Sequence, residues 1–286
     1  MNGVINVLKP PGMSSSGAVV FLKKLLGERH VGHAGTLDTG AAGVIVVLVG
    51  RASRLSDYIM GHAKTYIAEM HLGAATDTLD SYGSVTEQKR ASRVDRQRLA
   101  DACAGFLGRS LQTPPDYSAV KIGGRKSYEM ARRGIHVDKP PREIIVDAID
   151  ILACREGRFL LKIRCSKGTY VRTLVFDIAR AMGEVAYTSF LLRVESGSYH
   201  VRDAYTIDEI IRMTSAADFS FLLSAESAVA DLPALALESA FAFALQNGQA
   251  IQKTAPWETF RLYCGGMFYG VGRCQEGTLR LKIPLY

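Results

Sequence analysis

The chain has 286 residues, 48% hydrophobic and 22% charged, enough apolar material for a sizeable core in one large domain plus a small one. Its formal charge of +7 points to a polyanionic partner. The five cysteines are odd in number with no CxxC, and the six histidines show no HExxH, so neither a disulfide framework nor a bound metal is expected. Met1 to Lys9 lacks a basic n-region followed by a long apolar stretch. The longest apolar run, Val44 to Val49, is too short to span a bilayer. A cytoplasmic protein without a membrane partner is expected.

In chain order, Gly3 to Leu8 reads as a strand, broken by Lys9-Pro10-Pro11-Gly12-Met13. Ser14 to Ser16 offer N-caps to a helix whose apolar face uses Val19, Val20, Leu22 and Leu25 or Leu26. Next comes Gly32-His33-Ala34-Gly35-Thr36-Leu37-Asp38-Thr39-Gly40-Ala41-Ala42-Gly43, then the strand Val44 to Val49 and a helix over Arg51 to Met60. Lys64 to Leu72 alternates as a strand, and Gly73 to Gly83 reads as a loop. A helix is expected over Val94 to Ala104 and another over Ser127 to Arg133, ending at Gly134. Between them, Pro114-Pro115 forces extended backbone. Ile144 to Leu152 and Phe159 to Cys165 suit a hairpin. Gly168 and Thr169 then introduce a helix with Val171, Leu174, Val175, Ile178 and Ala179 on one side. Strands at Val185 to Glu195 and Gly197 to Val201 follow, then a short helix at Ile207 to Met213.

From Asp231 onward the composition shifts, to five basic and four acidic residues. A helix over Glu238 to Gln246 and strands at Phe260 to Cys264, Met267 to Cys274 and Thr278 to Leu285 suit a small β unit. The expected division is therefore 1–230 and 231–286. Strands and helices interleave without a regular βαβ period, and there is no GxGxxG or Walker loop. The class is α+β with a large mixed or antiparallel sheet.

The excess charge is concentrated. Residues 121 to 142 carry Lys121, Arg125, Lys126, Arg132, Arg133, Lys139 and Arg142 against Glu129 and Asp138. Such a segment attracts a polyanion and releases its counterions, although a solvated helix face explains it equally well. Around Asp38, four glycines flank one potential nucleophile with no second carboxylate. Taken alone, a glycine-rich loop is most often a tight turn with a solvated Asp. A solitary acid suits covalent catalysis better than metal binding.

The twelve residues from Gly32 to Gly43 resemble the signature of the TruB family of tRNA pseudouridine synthases, with Thr39 where many relatives have Pro. The resemblance makes Asp38 the catalytic residue. Lys64-Thr65-Tyr66 resembles the family's second motif, which puts Tyr66 against the target base and Lys64 at the substrate. Ser166 to Leu174 resembles the third, which pairs Arg172 with Asp38 and places Tyr170 beside the substrate. Asp177 is a local competitor for Arg172. Lys9 to Ser15 resembles the N-terminal motif, whose role is structural. Leu111 to Lys121, with Gly124 to Glu129, matches a segment that touches RNA in the family, which brings in Arg125 and Lys126. His33 would fill the gap left by the displaced base or contact the displaced nucleotides.

The resemblance implies a pseudouridine synthase fold with a central catalytic cleft and a small C-terminal domain like the PUA-like domain of relatives. It also implies isomerisation of the T-loop uridine at tRNA position 55. The base would be flipped into the pocket, detached at N1 and rejoined through C5. Asp38 would act as nucleophile or as base. The reaction needs no cofactor and no protein partner, and a monomer is expected. The residues leave three other readings open: a non-catalytic tRNA-binding or RNA-folding protein of the same fold, a synthase with another target, and a small-molecule hydrolase with an Asp nucleophile.

Overall fold

The computed structural model describes residues 1–118, 120–122, 125–131, 133–135 and 137–286, with backbone only for residues 121, 122, 125, 126 and 129. The first strands are β1 (Gly3–Lys9), β2 (Val31–His33), β3 (Ala42–Val49) and β4 (Lys64–Leu72), followed by β5 (Ala74–Thr76), β6 (Val85–Gln88) and β7 (Gly108–Gln112). Two short strands come next, β8 (Lys121–Ile122) and β9 (Arg125–Lys126). A long hairpin of β10 (Arg142–Arg155) and β11 (Arg158–Cys165) follows, then β12 (Ala186–Ser196), β13 (Tyr199–His200), β14 (Tyr205–Thr206) and β15 (Leu222–Leu223). Eleven of these strands form one sheet with the central order β14-β1-β3-β12-β4-β11-β10-β7. The pairs β1·β14 and β3·β12 are parallel and the other pairs along that path antiparallel, so the sheet is mixed.

Burial explains the run Val44 to Val49. Successive strand residues face opposite sides. Val44, Val46 and Leu48 pack in one cluster with Leu55 and Ile59. Ile45, Val47 and Val49 pack in another with Leu22 and Ile210. A strand covered on both faces reads as continuous apolar sequence.

Helix α1 (Ser15–Leu25) starts where expected, with the Ser14 side chain accepting from Gly17 N. Its buried residues are Ser15, Ala18 and Leu22, while Val20 is 53% exposed. Val20 sits about 200° around the helix from Ala18 and Leu22, so it faces water. The helix expected at 51–60 divides into a 3₁₀ turn, Gly50–Leu55, and α2 (Ser56–Gly61). The loop expected at 73–83 contains β5, which pairs with β6. Helix α3 (Arg96–Ala104) is capped by Asp95, and α4 covers Ser127–Ala131. Helix α5 (Val171–Ala181) buries Val171, Leu174, Val175, Ile178 and Ala179, the face expected, and Arg172 with them. It packs this face on β4, β11 and β10. Helix α6 (Ile207–Ser215) carries a capping box between Thr206 and Glu209.

At the C-terminal end, β16 (Ala234–Leu237), β17 (Ile251–Gln252), β18 (Thr259–Cys264), β19 (Met267–Gln275) and β20 (Thr278–Pro284) form a five-stranded sheet around Phe260, Leu262 and Leu279. The helix expected at 238–246 is a 3₁₀ turn, Ser239–Phe241, followed by α7 (Ala242–Gln246). Val271 and Leu285 pack into the cluster around β3, so this sheet rests on the large one. No helix among the described residues is long and apolar enough to cross a membrane.

Candidate active site

The Asp38 loop ends at the start of β3 and is tied down on several sides. Ser15 Oγ donates to Leu37 O and accepts from Leu37 N, both at 2.8 Å. Gly12 N donates to Thr39 O at 2.8 Å. The fully buried Lys9 ammonium donates to Pro10 O at 2.8 Å and Met13 O at 2.7 Å. The N-terminal motif is thus the outer wall of the loop. Thr39 serves through its carbonyl, a contact that does not depend on a proline ring.

Strand register sets the floor. Gly43 on β3 pairs with Arg193 on β12, and Arg193 pairs with Tyr66 on β4. Three neighbouring strands therefore place these residues in one row, with adjacent strands about 4.8 Å apart. Arg193 is only 1% exposed. Its Nε donates to Val44 O at 2.7 Å and its other nitrogens to Gly35 O and Thr36 O at 3.2 and 3.4 Å. Among the described residues no carboxylate pairs with it. A buried guanidinium needs such acceptors, and here they are the backbone of the Asp38 loop. Nothing in the sequence marked Arg193, because its partners are carbonyls from a segment about 150 residues away.

Arg172 is buried on α5 and reaches Asp38, its Nε 2.8 Å from Asp38 Oδ2. Its two terminal nitrogens donate to Thr78 O and to Tyr117 O, the latter at 3.0 Å, and Asp80 Oδ2 lies 3.6 Å from it. Asp177, the local competitor, takes no part in this cluster. Gln112 on β7 also fixes the entry to α5: its amide donates to Tyr170 O at 3.1 Å and accepts from Tyr170 N at 2.8 Å. Strand β7 was not expected, so this contact was not legible either.

These elements enclose a cleft of about 860 Å³ lined by Asp38, Lys64, Tyr66, Tyr170, Arg172 and Arg193, among others. The Asp38 side chain is 38% exposed, open to the cleft on one side and gripped by Arg172 on the other. Tyr66 is half-buried, and burial raises its phenol pKa although the Arg193 guanidinium opposes the shift. It is a neutral hydrogen-bond donor at neutral pH. Burial lowers the Lys64 pKa to about 8, with Arg193 adding to the effect. The Lys64 ammonium donates to Met60 O at 2.7 Å and His62 O at 2.6 Å. Burial also raises the Tyr170 pKa.

His33 lies on β2, outside the residues that line the cleft. Burial and the Arg193 charge lower its pKa, which favours the neutral imidazole. The side chains of Arg125 and Lys126 lie outside the described residues, as do the Lys121 side chain and Arg132. Arg133 and Arg142 are exposed. Lys139 departs from the expected basic patch: it is buried and paired with Asp116, so its charge is compensated inside the fold.

A mixed sheet bearing an arginine-held aspartate over a cleft is the architecture of a pseudouridine synthase. A solved Cbf5-Nop10-Gar1 complex matches in fold with a TM-score of 0.74, at 23% identity over 96% of this chain and 78% of that one. The model described as "TruB family pseudouridylate synthase (N terminal domain)" matches residues 23–171, and "Pseudouridine synthase II TruB, C-terminal" matches residues 233–282. The chain is 41% identical to tRNA pseudouridine synthase B of Symbiobacterium thermophilum, covering 87% of this chain and 83% of that one. It is 42% identical to the protein of that name from Streptococcus pyogenes serotype M1, covering 83% of each. The chain belongs to the TruB family of pseudouridine synthases.

Proposed function

We propose that this chain converts the T-loop uridine at tRNA position 55 to pseudouridine. The observation that carries the reading is the Asp38–Arg172 pair at 2.8 Å, open to a cleft that Tyr66 also lines. The tRNA substrate is that named for relatives at 41% and 42% identity.

A uridine stacked in a folded loop is extruded into the cleft, with an unstacking cost of a few kcal/mol. Asp38 then acts on it as nucleophile or as base. The bond between N1 and the ribose breaks, the base turns, and a bond from the ribose to C5 forms. The C5 proton leaves and N1 gains one, so the reaction is an isomerisation in which nothing is oxidised. Arg172 aims Asp38 with a charge-assisted hydrogen bond. Tyr66 stacks on the uracil, and its neutral phenol donates toward it. Lys64 and Tyr170 line the substrate wall. Arg125 and Lys126 in the basic segment meet the phosphates, where RNA is recognised by shape and backbone. His33 enters the RNA where the base has left.

The catalytic part is taken as residues 1–230 and the small β unit as 231–286. The enzyme works in the cytoplasm as a monomer without a protein partner.

The test is incubation of the wild-type chain and Asp38→Asn with unmodified tRNA transcript, followed by mapping of pseudouridine. The wild type is expected to give product at position 55 and the variant none. Product elsewhere in the tRNA, or wild-type turnover by the variant, overturns the reading.

A further inference from the structure

A chain of contacts that the proposed chemistry does not use ties the small β unit to the wall of the cleft. It begins in the five-stranded sheet. On β18, Arg261 N donates to Pro233 O at 2.7 Å and Arg261 Nε to Leu232 O at 2.9 Å. The same guanidinium meets Glu226 at 2.8 Å, and Glu226 also accepts from Tyr263 on that strand. Leu232 packs against the cluster that holds Leu55 and Ile59. The residues joining the two parts are therefore fixed to the small sheet.

Asp231 immediately precedes Leu232, and its Oδ2 lies 3.2 Å from His62 Nε2. His62 Nδ1 is buried and has no hydrogen-bond partner among the described residues. The neutral ring is best satisfied with its proton on Nε2, donated to Asp231. Behind the ring is Gly197, with a φ of +60°, where a Cβ would stand 2.5 Å from Nδ1. Gly197 N donates to Ala63 O at 3.1 Å. His62 is thus held between the β12–β13 turn and the first residue of the small unit.

His62 in turn sets Lys64. The Lys64 ammonium donates to His62 O at 2.6 Å and to Met60 O at 2.7 Å. Both carbonyls lie at the C-terminal end of α2, whose Ile59 shares a cluster with Val271 and Leu285 of the small sheet. Lys64 is only 6% exposed yet lines the cleft, as do Asp57 and Met60 of α2. An ammonium this buried stays where its acceptors are.

We propose that the small β unit takes part in turnover, with Asp231 as a positioning residue that acts through His62 on Lys64. The inference rests on the reading of Lys64 as part of the substrate wall. It gives residues 231–286 a share in aligning the reacting base, separate from any contact they make with RNA. The apolar seat under α2 and the Asp231–His62 contact act in the same sense: both hold the carbonyls on which the Lys64 ammonium rests. Small errors of placement at a reacting centre are costly in rate.

The test is a double-mutant cycle on the full chain. Asp231→Ala, Lys64→Met and the double variant are compared with wild type in single-turnover assays on unmodified tRNA, each below its unfolding midpoint. Dissociation constants for tRNA are measured alongside. Asp231→Ala is expected to slow turnover about fivefold, the upper end for one partly exposed charged pair, with tRNA affinity within about twofold of wild type. In the Lys64→Met background it is expected to have no further effect. Asp231→Asn keeps an acceptor for His62 and is expected to restore the rate. If Lys64→Met does not fold, Lys64→Gln, which still donates a hydrogen bond, takes its place. The same slowing with and without Lys64, a loss confined to tRNA affinity, or no slowing at all overturns the proposal. The second of these results would make the small unit an RNA-binding module alone. Product mapped away from position 55 removes the proposed substrate and leaves the cycle readable, and no product at all removes both readings. Wild-type turnover at position 55 without coupling removes only the role of Asp231.

Discussion

Gly43 and Arg193 meet across the parallel junction of β3 and β12, and the contact leaves no room for a side chain. Gly43 has a φ of +116°, and a Cβ there would stand 2.2 Å from the Arg193 carbonyl oxygen. The same Arg193 holds the Asp38 loop through Gly35, Thr36 and Val44. A single glycine thus allows the strand approach that lets one guanidinium reach the loop.

Gly43→Ala is therefore expected to be destabilising by about 3 kcal/mol or more, through backbone strain and the clash together. Denaturant unfolding measures it. A variant within about 0.5 kcal/mol of wild type, the usual scatter for neutral substitutions, would show that the junction relaxes freely.

Arg172→Lys keeps the charge but cannot reach Asp38, Thr78 and Tyr117 together, because an ammonium lacks the planar fork. Turnover is expected to fall about 100-fold, the scale associated with a misplaced reacting group. The dissociation constant for tRNA should change less than threefold (a factor of three is about 0.65 kcal/mol). Single-turnover kinetics and a binding titration separate the two. Loss confined to binding would move Arg172 out of the role of aiming the acid.

Tyr66→Phe retains the ring and removes the hydroxyl. Burial keeps the phenol protonated near neutral pH, so the hydroxyl acts as a donor. Turnover is expected to fall about 100-fold, at the low end for a positioned proton donor, with KM nearly unchanged. A phenylalanine variant as fast as wild type would leave Tyr66 with stacking alone.

Asp177 shows how a sequence reading can name a residue without its environment. It was weighed as a rival partner for Arg172, and in the fold it makes no ion pair among the described residues. Burial raises its carboxyl pKa to about 6, from 3.8. Between those values the native chain binds more protons than the unfolded one, so this group makes stability fall as pH rises from about 3.8 to 6. Asp177→Asn is expected to remove that slope. The variant should match wild type near pH 4 and be more stable at pH 7 by about 1–2 kcal/mol, discounted for partial solvation. Unfolding midpoints at the two pH values measure it, and equal midpoints at pH 7 would mean that Asp177 is already compensated.

Most of the fold was legible because its signals are local. Strands β1, β3, β4, β11 and β12 carry apolar runs or alternation, and the buried face of α5 repeats at helical spacing. Strand β7 was not legible: Gly108-Arg109-Ser110-Leu111-Gln112 is mostly exposed and, among the described residues, pairs only with β10, so it carries no apolar pattern. Val20 was misplaced because a single valine in an apolar run does not tell which stripe faces the core. At the site, Asp38, Tyr66 and Arg172 stood out by motif, whereas Arg193 and Gln112 act on main-chain atoms far away in sequence. Such contacts leave no signature in residue types. Lys139 shows the opposite failure, a charge counted toward a solvent-facing patch that the fold uses internally against Asp116.

The grip on Asp38 comes from an arginine 134 positions downstream, which also binds carbonyls near residues 78 and 117. No fragment that ends before Arg172 can assemble that grip. A partly folded molecule carries the acid but not its alignment. On the proposed mechanism, catalytic output from this chain is a gauge of completed folding, expected to be silent in every intermediate that has not yet brought all four segments together.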